Sequence, residues 1–210
     1  MHWPILFTLV FLGGTLAAEG LPSERLKWVC KPLASAGFLW TAFDAGAWDS
    51  TYGRIILGAL VLSWFGDVLL IPLNNKKAFL VGLLAFLGAH FAFAAAFLTL
   101  GIAPLWLVSL VPLTAIVFAF HRWLGDRIPA KLAKAVVVYM AVITVMVALS
   151  GGAYGHGAPW IIPLGAFIFW LSDLSVALDR FAHYGFGNRL WGLPAYYGAQ
   201  LLLAWSVGLV

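Results

Sequence analysis

Two aspartates interrupt segments otherwise suited to hydrocarbon. Asp67 sits in VLSWFGDVLLIPL, and Asp173 follows Ser172 in GAFIFWLSDLSVALDRF, residues 165–181. An ionisable side chain inside an apolar span costs roughly 2.5–3.5 kcal/mol on insertion scales, so each marks a functional site by default. Two carboxylates sharing a low-dielectric site tend to hold one proton between them, which supplies an acid and a base. Acid–base hydrolysis uses that arrangement. The alternative is structural: each aspartate pairs with Lys31 or Arg180, or caps backbone groups, and only locks helices together.

Other polar side chains fall in similar surroundings. Lys31, in Cys30-Lys31-Pro32-Leu33, suits a carboxylate or a phosphate, or is a snorkelling lysine. His90, in LGAHFAF, has no second histidine at metal-binding spacing; a hydrogen bond to a facing carboxylate fits it better, as does simple packing. Tyr196 and Tyr197 stand four and three residues before Gln200, so a tyrosine and the glutamine share a helical face, for function or for helix–helix adhesion. Arg180 follows Asp173 by two turns and is placed to hold a lipid phosphate; Asp179-Arg180 also reads as a solvated ion pair. Ser172 lacks a base of its own. The chain contains no phosphate-binding glycine loop and no GxSxG elbow. Phe65-Gly66-Asp67 is only weakly similar to the GxGD of intramembrane aspartyl proteases, because Trp64 replaces the first glycine.

These residues need helices to position them. The 210 residues are 63% hydrophobic and 10% charged, far below the quarter charged of soluble domains, so the chain is an all-α integral membrane protein. With membrane residence established, the net charge of +4 reports topology rather than nucleic-acid binding. A single cysteine, Cys30, excludes an intrachain disulfide. Eight apolar runs are near spanning length: 4–18, 28–43, 54–73, 78–98, 103–120, 131–149, 158–178 and 193–210. Pro and Gly separate them, notably at 72–75 and 151–155. No linker divides residues 1–210, so one eight-helix bundle is expected. The first run lacks the basic flank of a signal peptide and reads as a retained helix.

Eleven of the 12 lysines and arginines lie at or beside the odd-numbered connections, leaving only Arg54 opposite. The positive-inside rule puts those connections in the cytoplasm and both termini outside. At 1.5 Å per residue, Asp67 and Asp173 then lie about 8–9 Å below the cytoplasmic face and Tyr139 about 12 Å. Lys31, Tyr196, Tyr197 and Gln200 occupy the same inner half, with His90 nearer the midplane.

In order and spacing these motifs resemble the YhhN family, along nearly the whole chain. Lys31-Pro32-Leu33 is similar to its second-helix signature, and Gly66-Asp67 with Leu70 to its GD motif. Gly82, Phe86, Ala89-His90 and Phe97 match its fourth helix, and Tyr139 with Met140 and Met146 its sixth. Gly165, Phe169, Ser172-Asp173 and Arg180-Phe181 match its seventh, and Tyr196-Tyr197 with Gln200 its eighth. Phe93 departs from the pattern, which has tyrosine there. The resemblance implies an eight-helix lysoplasmalogenase that hydrolyses the vinyl-ether bond of lysoplasmalogens. The products are a fatty aldehyde and glycerophosphoethanolamine or glycerophosphocholine, and neither metal nor organic cofactor is needed.

The expected partners are the lysophospholipid and surrounding membrane lipids, with no nucleic acid, and the expected location is a bacterial inner membrane. Which aspartate is acid and which is base stays open. A proton-coupled lipid transporter or flippase could use the same carboxylates, although the outer halves of the spans carry few polar residues. A metal-dependent lipid hydrolase of the ceramidase type would need a tighter histidine set.

Overall fold

The computed structural model describes residues 3–72, 75–183 and 185–210. Met1-His2, the centre of the turn at 72–75 and the expected end of the third span at Leu73 lie outside the described residues. Among those described, the chain forms eight α-helices and no strand: α1 Trp3–Gly20, α2 Glu24–Asp44, α3 Thr51–Leu69, α4 Lys76–Leu98, α5 Leu110–Leu124, α6 Ala130–Gly155, α7 Ile161–Ala177 and α8 Phe186–Ser206. Local chemistry sets several starts. Ser23 accepts from the Leu26 amide, Ser50 from Gly53, and Asn75 from Lys77 and Ala78, each satisfying first-turn N–H groups that lack helical partners.

The boundaries differ from the apolar runs at informative places. α3 stops at Leu69, so Asp67 lies in its last turn rather than six residues from an end. α6 continues through the 151–155 glycines, which had read as a break. There the glycines permit close packing. A Cβ on Gly152 would meet the Ile102 side chain at 2.7 Å, and one on Gly155 would collide with the Trp106 indole. α8 starts at Phe186, behind Gly185 at φ +70°, seven residues before the expected span. Helical geometry satisfies its backbone more cheaply than an extended lead-in would.

Six helical segments are long and apolar enough to cross a membrane, as an integral membrane protein requires: α1, α3, α4, α6, α5 with its flanking turns (Pro104–Arg127) and α7 with the turn that follows it (Ile161–Ala182). α2 and α8 are long enough but more polar, and the packing explains why. α8 contacts α1, α2, α3 and α7, while α2 contacts α1, α3 and α8. Both present polar side chains to other helices rather than to lipid. α3, α4, α6, α7 and α8 pack in sequence around a cavity, with α2 behind α3 and α8. α1 flanks α2 and α8, and α5 leans mainly on α6. Polar ties brace the ring: Tyr52 to Ser206 at 2.6 Å, Trp64 to the Pro32 carbonyl at 3.1 Å, and Asn188 to the Ser175 carbonyl at 2.8 Å.

Candidate active site

The cavity measures about 410 Å³, within the usual range for a small-ligand site. Lys31, Asp67, Tyr139, Ser172, Asp173, Arg180 and Tyr196 line it. Most of its remaining wall is apolar: Leu83 and Phe86 from α4, Val136, Met140 and Ile143 from α6, and Trp170 and Leu174 from α7.

Asp67 is almost inaccessible, at 2% exposure, and is held by donors from two helices. Lys31 Nζ lies 3.3 Å from Oδ1, while Ser35 and Tyr196 hydroxyls donate to Oδ2 at 2.7 and 2.6 Å. A second layer orients them. Gln200 Nε2 donates to the Tyr196 hydroxyl at 3.1 Å, and the Tyr197 hydroxyl lies 3.2 Å from Ser35 Oγ and 3.3 Å from the Lys31 carbonyl. The Lys31 ammonium favours a carboxylate here, and the Ser35 hydroxyl, which also faces the Lys31 carbonyl at 3.0 Å, can donate to this group or accept from it. Lys31 has a further task. α3 ends two residues after Asp67, leaving its last carbonyls without helical partners, and Lys31 Nζ donates to the Asp67 carbonyl at 3.2 Å. A cation at a helix C-terminus also opposes the negative end of its dipole. Gly66 allows the α3–α4 approach, since a Cβ there would stand 2.6 Å from the Phe86 ring.

Asp173 is more open, with 14% of its side chain exposed, and has a sparser shell. His90 Nε2 lies 2.9 Å from Oδ2, and the Tyr139 hydroxyl is 3.3 Å from both oxygens. His90 is fully buried, and its Nδ1 has no partner among the described residues. A hydrogen on Nδ1 would be stranded, so the favoured tautomer carries it on Nε2 and donates to Asp173. Phe93, at the departure from the motif pattern, is also fully buried and packs on Phe169.

The two carboxyl groups share the cavity, but among the described residues no hydrogen bond joins them. The Phe169 ring lies between their supports, 5.5 Å from Tyr196 and 4.8 Å from His90. Ser172 lines the cavity, but its hydroxyl is committed to the Phe169 carbonyl at 2.7 Å. Arg180 lies 4.1 Å over the Phe79 ring and has no carboxylate partner among the described residues. In place of the alternative Asp179–Arg180 pair, Asp179 pairs with Arg189 at 2.7 Å. Arg180 belongs to a widened turn, Leu178–Ala182, that carries neighbouring side chains to different sides.

Two participants were not picked out in the sequence. Ser35 lies four residues after Lys31, one turn along the same face, and that spacing was the available signal. Glu19 is the only Asp, Glu, Lys or Arg in the first 23 residues. It binds Lys27 at 2.8 Å and also Arg189, joining α1, α2 and α8 at the cavity mouth.

With this geometry, the family model for YhhN matches residues 26–207. The chain belongs to the YhhN family. It is similar to lysoplasmalogenase TMEM86B of Sus scrofa, 33% identical over 194 residues, covering 89% of this chain and 79% of that protein. The Homo sapiens TMEM86B lysoplasmalogenase is 32% identical over 192 residues, covering 89% and 78%, and the Bos taurus TMEM86A lysoplasmalogenase 32% over 202 residues, covering 89% and 81%. No solved structure matches this YhhN chain.

Proposed function

We propose that this YhhN protein is a lysoplasmalogenase, a membrane hydrolase that cleaves the vinyl ether of a single-chain glycerophospholipid. One observation carries the reading: two carboxyl groups with unlike surroundings line one largely apolar cavity, in a chain whose relatives bear that name.

The differing shells also suggest a division of labour. Asp173, the more open group with fewer donors, delivers a proton to the alkenyl carbon β to the ether oxygen, and the π electrons form the new C–H bond. Positive charge spreads over the adjacent carbon and oxygen. Asp67, held as an anion by Lys31, Ser35 and Tyr196, stabilises that cation. Water adds to the carbon bearing the oxygen and loses a proton to a carboxylate. The hemiacetal then breaks its bond to the glycerol oxygen, which takes up a proton as the aldehyde forms, and Asp173 ends protonated. His90 and Tyr139 orient Asp173, while Tyr197 and Gln200 support the Asp67 shell. Arg180 binds the phosphate at the mouth, and Ser172 contributes to the wall.

The same reading takes residues 1–210 as one domain of eight spans with both termini outside. The cavity mouth and carboxylates then lie in the cytoplasmic half of a bacterial inner membrane. The gathering of Glu19, Lys27, Arg180 and Arg189 at one end supports it. A transporter needs a path past the carboxylates, and Phe93, Phe97 and Phe169 fill that direction, all fully buried.

Asp67→Asn and Asp173→Asn test the chemistry. Each is expected to lower aldehyde release from lysoplasmalogen by roughly 100-fold or more, the usual scale for a positioned acid or base, with insertion and folding retained. Turnover near wild type in either variant removes that carboxyl group from the mechanism.

A further inference from the structure

The carboxylate layer lies at the deep end of the cavity, which poses a problem for a long-chain substrate. Beyond it the bundle is closed by Phe93, Phe97 and Phe169, so a chain cannot continue along the bundle axis. One flank of the cavity, here called its branch, is apolar. Val117 of α5, Val136 and Met140 of α6, and Ala177 and Phe181 at the end of α7 line it. These residues belong to a small second hydrophobic cluster, where α5, α6 and the turn after α7 meet, and Val117 also touches the main core. Among the described residues, only Leu124, Ile128, Val136 and Met140 are buried in this cluster, far fewer than in the main core, so it is where the helices can most easily admit a guest.

Two observations place the branch at the lipid-facing surface. Val176 lines the same cavity yet is 46% exposed, so the wall opens on the outer side of α7. α5, which borders the branch, buries only Leu113 and Leu124 and leaves most of its apolar surface outward. From these contacts we infer that the branch is the binding site for the substrate's hydrocarbon chain. The chain turns aside at Asp173, passes between α6 and α7 beside Val117 and Val176, and keeps its far end in the bilayer. The occupant is one unbranched alkenyl chain, because the branch is continuous with the carboxylate site and its named wall is wholly apolar. This placement rests on the lipid-hydrolase reading.

Two measurements test it, both on the full chain in phospholipid vesicles. In the first, Ala177→Trp and Val117→Trp narrow the branch, and kcat/KM is compared for hexadecenyl and butenyl lysoplasmalogens. The long-to-short ratio is expected to fall roughly tenfold or more, the scale on which apolar pockets discriminate chain length. Val137→Trp, on the outer face of α6, is expected to leave that ratio unchanged. An unchanged ratio in folded Ala177→Trp and Val117→Trp proteins overturns the assignment.

The second measurement uses the unmodified protein and a 1-O-alkyl glycerophosphocholine with a mid-chain diazirine. Its saturated ether resists vinyl-ether chemistry, so it probes binding alone. Competable labelling is expected in α5, α6 and α7; labelling confined to α1, α2 or α8, or labelling that excess lipid cannot compete, overturns the placement. If wild-type protein releases no aldehyde but labels in α5 to α7, the hydrolase reading fails while the chain site stands. If it releases aldehyde and labels elsewhere, the reverse holds.

Discussion

Removing the Lys31 charge gives a test whose size follows from the contacts. Lys31→Met leaves the Asp67 carboxylate buried with Ser35 and Tyr196 as its nearest donors and deprives the Asp67 carbonyl of its partner. At the observed 3.3 Å, with an effective dielectric constant near 20, the lost attraction is about 5 kcal/mol. Part of that is offset because the lysine no longer needs desolvation. Breaking one side of a buried pair costs about 3–5 kcal/mol. The long contact and the slight exposure of Lys31 put this pair at the lower end, about 3 kcal/mol. For a chain of this size that corresponds to a fall of roughly 6–12 °C in unfolding temperature.

The double variant Lys31→Met/Asp67→Asn removes the stranded charge, and we expect it to regain about 2 kcal/mol of the loss while staying inactive, a direct measure of coupling. Thermal unfolding of the four proteins in lipid nanodiscs, with aldehyde release measured alongside, supplies the data. A Lys31→Met protein as stable as wild type, or a double variant no more stable than the single, would show that Lys31 does not compensate Asp67.

Two further expectations concern neighbouring contacts. Gly66→Ala drives a methyl group into the buried Phe86 ring, with an expected cost of about 1–3 kcal/mol; Phe86→Leu in the same chain should restore stability, and a Gly66→Ala protein with unaltered unfolding refutes the packing role. Arg180→Met should raise KM for lysoplasmalogen roughly tenfold, as loss of a charge-assisted hydrogen bond predicts, without changing kinetics on the phosphate-free 1-alkenylglycerol. Equal changes on both substrates would rule out a phosphate contact.

Much of the candidate site was legible because its signals are local. An aspartate in an apolar run stands out without a partner, and Asp67 and Asp173 did so. A glutamine four residues from a tyrosine implies a shared face, and Gln200 does bond Tyr196, the i–4 neighbour rather than the i–3 one. Pairings between helices were less legible. A facing carboxylate suited His90, but nothing in its own segment selected Asp173, 83 residues away. Arg180 is adjacent to Asp179 in sequence, yet Asp179 pairs with Arg189 across the turn. Glycines misled at 151–155 because the same residue type ends a helix or lets another element approach closely, and the positions of Ile102 and Trp106 distinguish the two.

The sequence by itself determined the membrane class, eight helical segments and two carboxyl groups set among apolar residues. Those features depend on hydropathy, caps and spacing along one helix. Tertiary structure decided that, among the described residues, Asp67 has three hydrogen-bonding side-chain neighbours and Asp173 two, that Ser35 reaches Asp67, and that one flank of the cavity is apolar. Each of these depends on how neighbouring helices are rotated and how closely they pack. That rotation is chosen by the summed fit of side chains across the whole bundle, which no single segment encodes.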